Sequence, residues 1–246
     1  MTTHFEKSFH ITAAAVDRFD RLKMSCILEY MQEVAGDHSA LLGADRTALE
    51  EKGIFWAVIR HRIQIGRLPC AGEDIFVKTW PMPTTRTAYP RATEGRDREG
   101  KLVFRSLSLW VLMDFENRAM ILPGKSGVDV EGILLGDEPA MPGSLPPKAM
   151  LCQMQRPVRF TDLDYNGHMN NCKYLDWVAD LMDCDFHRAN QPKEIVLNYL
   201  SEAREGELLS LGYQLAEDGL LTVQTQRLGE DVSANHSRVF AAQIQY

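Results

Sequence analysis

VDRFDRLKMSCILEYMQEVA (Val16–Ala35) and LDYNGHMNNCKYLDWVADLM (Leu163–Met182) lie over one another without a gap. Asp17 meets Asp164, Leu22 meets Met169, and ILEYMQEV runs beside YLDWVADL. Two further stretches repeat in the same order. PCAGEDIFV (Pro69–Val77) matches AREGELLSL (Ala203–Leu211) around Gly72 and Gly206, and VFRSLSLW (Val103–Trp110) matches VFAAQIQY (Val239–Tyr246). Three ordered matches in one chain point to an internal duplication, in which each half is one structural unit.

The repeated stretch reads as a short strand followed by a helix. Met24, Ile27, Leu28, Met31, Val34 and Ala35 recur at helical spacing. In the second copy Cys172, Leu175, Val178 and Met182 form the apolar stripe, with Lys173, Asp176, Asp180 and Asp183 on another face. The segments that follow alternate with period two, the signature of strands. Phe55, Ala57, Ile59, His61, Ile63 and Ile65 are expected to share one face, as are Val103, Arg105, Leu107, Leu109, Val111 and Met113. Asp218–Gly219 marks a hairpin, because both residue types tolerate positive φ. Arg96–Lys101 reads as a longer hairpin loop. One helix followed by an antiparallel sheet, repeated, predicts an α+β fold rather than a parallel α/β one.

A Pro/Gly-rich stretch separates the copies. Leu122–Met150 holds five of the eleven prolines. We expect an N-terminal domain over residues 1–125, a linker over 126–150 and a C-terminal domain over 151–246. The 246 residues carry a net charge of −7 and no basic run, so nucleic-acid binding is not indicated. An acidic partner would need a local basic patch. Arg60 and Arg62 alternate on one strand face and Arg86, Arg91, Arg96 and Arg98 cluster loosely, although a solvated sheet face or loop explains them as well.

The five cysteines are scattered without a C-x-x-C, so neither a zinc site nor a disulfide framework is indicated. No stretch reads as a membrane span or as a signal peptide, and a reducing cytoplasm is the expected location. No glycine-rich phosphate loop and no metal-ligand spacing appear, so no cofactor or metal is expected.

DLDYNGHMNNCKYLDW (Asp162–Trp177) resembles the hotdog-fold thioesterases, whose pattern is close to D-x-D-x-x-x-H-x-N-N-x-x-Y. The chain more closely resembles the acyl-acyl-carrier-protein thioesterases of plants and bacteria. LEYMQEVAGDHSALLG (Leu28–Gly43), FWAVIRHRIQI (Phe55–Ile65), LWVLMDFENRAMILP (Leu109–Pro123) and VLNYLSEAREG (Val196–Gly206) extend the likeness over most of the chain. The resemblance implies a tandem hotdog, each domain a long helix wrapped by a curved antiparallel sheet. It implies hydrolysis of fatty acyl-carrier-protein thioesters, with acyl carrier protein as partner and phosphopantetheine brought by the substrate. It implies Asp164, Asn166, His168 and Glu202 as the catalytic set, with Glu202 on the strand after the helix. Many plant relatives have cysteine directly after that glutamate. Here the residue is Ala203, so a cysteine nucleophile finds no support.

The chemistry fits these residue types. Thioester hydrolysis needs an attacking water or nucleophile, a base, and donors for the oxyanion. Asp164 or Glu202 could activate water or attack, His168 could orient or protonate, and backbone N–H groups near Gly167–Asn170 could meet developing negative charge. The first half is an internal control. Asn166 becomes Phe19, His168 becomes Arg21, and Glu202 falls opposite Leu68, while Asp17 keeps the aspartate. The apolar pattern survives where the polar set does not, so the second half is assigned the chemistry and the first an acyl pocket. Met24, Met31, Phe55 and Trp56 are either its lining or plain core. Asp162, Asn170 and Asn171 read as turn and capping residues. An acyl-CoA thioesterase and a non-catalytic acyl-thioester binder are the rival readings. The sequence leaves chain-length preference and a homodimer open.

Overall fold

The computed structural model describes residues 3–228 and 237–246. Contacts divide the chain into two compact units, Met1–Pro142 and Gly143–Tyr246. In the first, β1 (Phe5–His10), β2 (Ile54–Ile65), β3 (Asp74–Pro81), β4 (Tyr89–Asp97) and β5 (Leu102–Asp114) form an antiparallel sheet in the order β1-β3-β4-β5-β2. A short β6 (Met120–Ile121) adds to β5. In the second, β7 (Cys152–Pro157), β8 (Glu194–Tyr199), β9 (Leu208–Leu215), β10 (Leu220–Arg227) and β11 (Arg238–Gln245) take the order β7-β9-β10-β11-β8. The two orders are the same, strand for strand, so the duplication read from sequence is carried by topology.

The helix of the first unit, α1, runs Met24–Leu41 and buries Met24, Ile27, Leu28, Met31, Val34 and Ala35. That is the stripe expected from spacing, and each fully buried aliphatic side chain contributes about 1.5–3 kcal/mol. A short α2 (Arg46–Glu50) follows, its first turn capped by the Asp45 carboxylate accepting from Ala48 N–H at 2.9 Å.

The second unit differs from the expected long helix. The corresponding span is broken into α3 (Lys173–Ala179) and α4 (Cys184–Ala189). Asp183 starts a new helix by accepting from Phe186 N–H at 2.8 Å, a local competitor to continuing the first one. Met182, expected on the buried face, lies in this break and is only half-buried, whereas Tyr174 and Trp177 join Cys172, Leu175 and Val178 inside.

Both hairpin turns form where read. Gly219 sits at φ 82° between β9 and β10, and Gly100 at φ 80° between β4 and β5. The unbroken alternation expected along β2 does not hold. A bulge between Val58 and Arg60 shifts the register against β5, so Ile54 and Val58 are buried before it and His61 and Ile63 after it.

The segment expected as linker, 126–150, is divided between the units rather than left as free chain. Tyr89 Oη lies 2.7 Å from Ser126 Oγ, and Ile133 N–H donates to Pro81 O at 2.9 Å. A Cβ at Gly132 would meet the Met82 carbonyl at 2.3 Å, so this close passage requires glycine. Beyond Pro142 two buried amides hold the backbone. Asn198 accepts from Leu145 N–H (2.9 Å) and donates to Gly143 O (3.1 Å). Gln224 accepts from Lys148 N–H (3.2 Å) and donates to Pro146 O (2.8 Å).

On the helix-facing side of the first sheet the core is partly polar. Arg91, 9% exposed, donates to His38 Nδ1 at 3.1 Å and to Thr79 Oγ1 at 3.3 Å. His61 Nδ1 lies 2.8 Å from Ser108 Oγ. The loose arginine cluster is therefore not one basic patch: Arg91 is interior, Arg96 pairs with Glu94 at 2.6 Å, and Arg98 pairs with Asp74. Met24 and Met31 lie in the core, Phe55 packs edge-on against Phe115, and Trp56 packs edge-on against Tyr89.

Candidate active site

The loop before α3 is built on an aspartate bridge. Leu163 and Met169 pair as an isolated antiparallel bridge, and Asp164 N–H donates to His168 O at 2.8 Å. Asp164 Oδ1 accepts from Asn166 N–H (2.8 Å) and His168 N–H (3.3 Å). Gly167 takes the corner at φ 76°. The first unit repeats this loop bond for bond. Val16 pairs with Leu22, Asp17 N–H donates to Arg21 O at 2.8 Å, and Asp17 Oδ1 accepts from Phe19 N–H (2.8 Å) and Arg21 N–H (3.0 Å). Asp20 holds the corner at φ 57°. The aspartate shared by both copies thus has a loop-building role that is independent of chemistry.

What the second copy adds is carried by three side chains. Asn166 Nδ2 lies 3.3 Å from Asp164 Oδ2 on the exposed side of the loop. His168 Nε2 lies 3.1 Å from Glu202 Oε2, with the imidazole 14% and the carboxylate 40% exposed. The four residues singled out from sequence therefore form two side-chain pairs, the Asn166–Asp164 hydrogen bond and the close His168–Glu202 contact. The pairs are joined through the His168 backbone N–H on Asp164.

Glu202 is not on a strand. β8 ends at Tyr199, because Leu200 N–H and Ser201 N–H both converge on Val239 O (2.9 and 3.2 Å) and the ladder stops there. The glutamate stands in the turn that follows, beside the Ala203 carbonyl, which accepts from Met169 N–H at 2.8 Å. An isolated bridge between His168 and Arg204 completes the link between loop and turn.

The backbone donors proposed for an oxyanion are already engaged. Gly167 N–H donates to Asp164 O, Met169 N–H to Ala203 O, and Asn170 N–H to Asp162 O, while α3 begins only at Lys173. The supporting residues have structural partners. Asp162, 5% exposed, accepts from Trp177 Nε1–H at 3.0 Å and Arg159 N–H at 2.9 Å. Asn170 accepts from Cys172 N–H, and Asn171 O accepts from the Tyr199 hydroxyl. Among the described residues no three His, Cys, Asp or Glu converge to hold a metal. A cavity of about 140 Å³ in this unit lies elsewhere, between Leu145–Lys148 and strands β10 and β11.

Sequence reasoning missed Arg227. Its Nε lies 2.9 Å from Glu207 Oε2, and its Nη2–H donates to the Glu202 carbonyl. It stands at the end of β10, remote in sequence from every motif, so only the sheet register brings it to the site.

Two units of one strand order, one with a His–Glu pair beside an Asp–Asn loop, define a protein of the tandem hotdog fold. The chain belongs to the acyl-ACP thioesterase family: residues 2–122 match the Acyl-ACP thioesterase N-terminal domain and residues 148–241 the C-terminal domain. It is 24% identical over 224 residues to a palmitoyl-acyl carrier protein thioesterase of Gossypium hirsutum, covering 84% of this chain and 54% of that one. It is 24% identical over 220 residues to a dodecanoyl-[acyl-carrier-protein] hydrolase of Cinnamomum camphora, covering 83% and 58%. Both of these relatives are named as chloroplastic, and the chain spans about half the length of the curated relatives it matches. Its fold is similar to that of an acyl-ACP thioesterase from Bacteroides thetaiotaomicron, with TM-score 0.83, 20% identity and 99% and 97% of the two chains covered. It is also similar to the 12:0-ACP thioesterase from Umbellularia californica, with TM-score 0.82, 22% identity and 100% and 97% covered.

Proposed function

We propose that the chain hydrolyses the thioester between a fatty acyl group and acyl carrier protein, releasing free fatty acid and the holo carrier in fatty acid biosynthesis. The carrying observation is the 3.1 Å His168–Glu202 contact. It arises where the duplicate unit has Arg21 and Leu68, in a loop otherwise preserved bond for bond.

A water held by His168 and Glu202 gives up its proton to the pair as its oxygen attacks the thioester carbonyl carbon. The Asn166 amide, held by Asp164, offers an N–H to the oxygen as it becomes negative. Collapse of the tetrahedral intermediate breaks the C–S bond. His168 returns the proton to the departing phosphopantetheine sulfur. Asp164, whose Oδ1 already receives two backbone N–H groups, anchors the loop; Glu202 is the better placed carboxylate for proton transfer. Neither a metal nor a dissociable cofactor is needed.

No helix among the described residues is long and apolar enough to cross a membrane. Five unbridged cysteines are compatible with a reducing, cytoplasm-like compartment.

The test is release of free thiol and fatty acid from acyl-carrier substrates of graded length, beside the matching acyl-CoA series. Turnover on the carrier series above the CoA series supports the proposal. Preference for acyl-CoA would replace the partner, and saturable binding without thiol release would make the chain a binder.

A further inference from the structure

The duplicated turn is wired differently in the two units. In the first, Glu73 closes the turn by accepting from Cys70 N–H at 2.7 Å. It is gripped by Arg67 (Nη1–Oε1 3.1 Å), which also reaches Asp97 Oδ2 through Nε (3.2 Å) and Nη2 (2.8 Å). In the second, Glu207 does the same by accepting from Arg204 N–H at 3.2 Å.

The strand registers fix the equivalences. Gly66 and Arg67 N–H converge on Val103 O as Leu200 and Ser201 N–H converge on Val239 O. Ile75 pairs with Asp97 as Leu209 pairs with Arg227. Ser201 therefore stands where the first unit has Arg67, and Arg227 stands where it has Asp97. The arginine has moved from the turn to the neighbouring strand. From there it holds Glu207 through Nε at 2.9 Å and donates from Nη2 to the carbonyl of Glu202.

We propose that Arg227 is a positioning residue that fixes the Glu202 turn so that its carboxylate meets His168. The proposal rests on the reading of His168 and Glu202 as the reacting pair. Glu202 lies outside the β-ladder and its side chain is 40% exposed, so neither sheet hydrogen bonds nor core packing set its direction. The fork of a guanidinium can hold a carboxylate and a carbonyl at once, tying the two ends of the turn to β10. In the first unit Leu68 occupies the corresponding place, and the Arg67 fork is turned to Glu73 and Asp97.

The test compares Arg227→Met, Arg227→Lys and Arg67→Met in the full chain. It uses crystal structures, thermal unfolding, and kcat and KM on an acyl-CoA or acyl-carrier substrate. Arg227→Met should open the His168–Glu202 contact and lower kcat about 10- to 100-fold, the scale of a catalytic group displaced by an ångström, with KM nearly unchanged. Arg227→Lys should recover part of kcat. Arg67→Met should lose comparable thermal stability and keep kcat. An intact His168–Glu202 contact in Arg227→Met, or equal kcat losses in Arg67→Met and Arg227→Met, would overturn the proposal. If the unmodified chain cleaves no thioester, the catalytic reading fails on its own, and the crystal structures still decide whether Arg227 sets the contact.

Discussion

At the scale of single residues, the duplicate unit supplies controls that a one-copy enzyme lacks. His168 and Arg21 occupy the same corner of the same loop, and each backbone N–H rests on the preceding aspartate. His168→Ala should lower kcat by about 10²–10⁴-fold, the usual range for a lost acid–base group, while Arg21→Ala leaves kcat within about twofold. Steady-state thiol release from the two variants decides it, and equal losses would move the chemistry out of the second unit.

His61 offers a stability test. Burial holds its imidazole down at about 3, against about 6.5 in an unfolded chain. Below pH 6.5 the unfolded chain takes up a proton that the folded chain refuses, so stability falls as pH drops from about 6.5 toward 3 and is unaffected above that window. Urea unfolding should show about 2 kcal/mol lost from this site between pH 7 and 4.5, and a His61→Phe variant should lack that component of the slope.

Among elements, the strap from Gly143 to Met150 is held by buried side chains rather than by a ladder. Asn198 and Gln224, 1% and 4% exposed, each use both ends of their amide on its backbone. A chain rich in proline cannot join a sheet as a regular strand, so side-chain amides do the pairing. Asn198→Ala combined with Gln224→Ala removes four hydrogen bonds of about 1 kcal/mol each and should raise tryptic cleavage at Lys148 at least about tenfold. Mass spectrometry of the fragments reads it; unchanged cleavage would mean the strap is held by packing alone. Elements also mark where pattern reading stops. The α1 stripe was legible because helical spacing persists over eighteen residues. The break at Asp183 was not, because a capping aspartate and a surface aspartate are the same letter until the N–H it receives is known.

For the molecule as a whole, the duplication organises everything else. It explains why an identical strand order recurs in the two units. Cysteine chemistry gives a global check of the burial pattern. Cys70, Cys152 and Cys184 are exposed, whereas Cys26 and Cys172 are buried in corresponding helical spans. A thiol reagent should titrate three cysteines in the native protein and all five in denaturant. Partial desolvation and the Asp20 and Glu73 carboxylates raise the Cys70 thiol pKa, so its reaction should accelerate as pH rises. Rapid native modification of Cys26 or Cys172 would contradict the packing of the unit it belongs to.

The sequence by itself determined the two-copy plan, the α+β class, the hairpin turns and the loop from Asp164 to His168. Each of these is written in local spacing, and local spacing is what a linear pattern can encode. The tertiary structure alone decided that Glu202 sits in a turn, that β2 changes face at Ile59, and that Arg227 reaches the Glu202 carbonyl. Those depend on register between strands distant along the chain, where a one-residue shift exchanges the two faces of a sheet and no single segment records it.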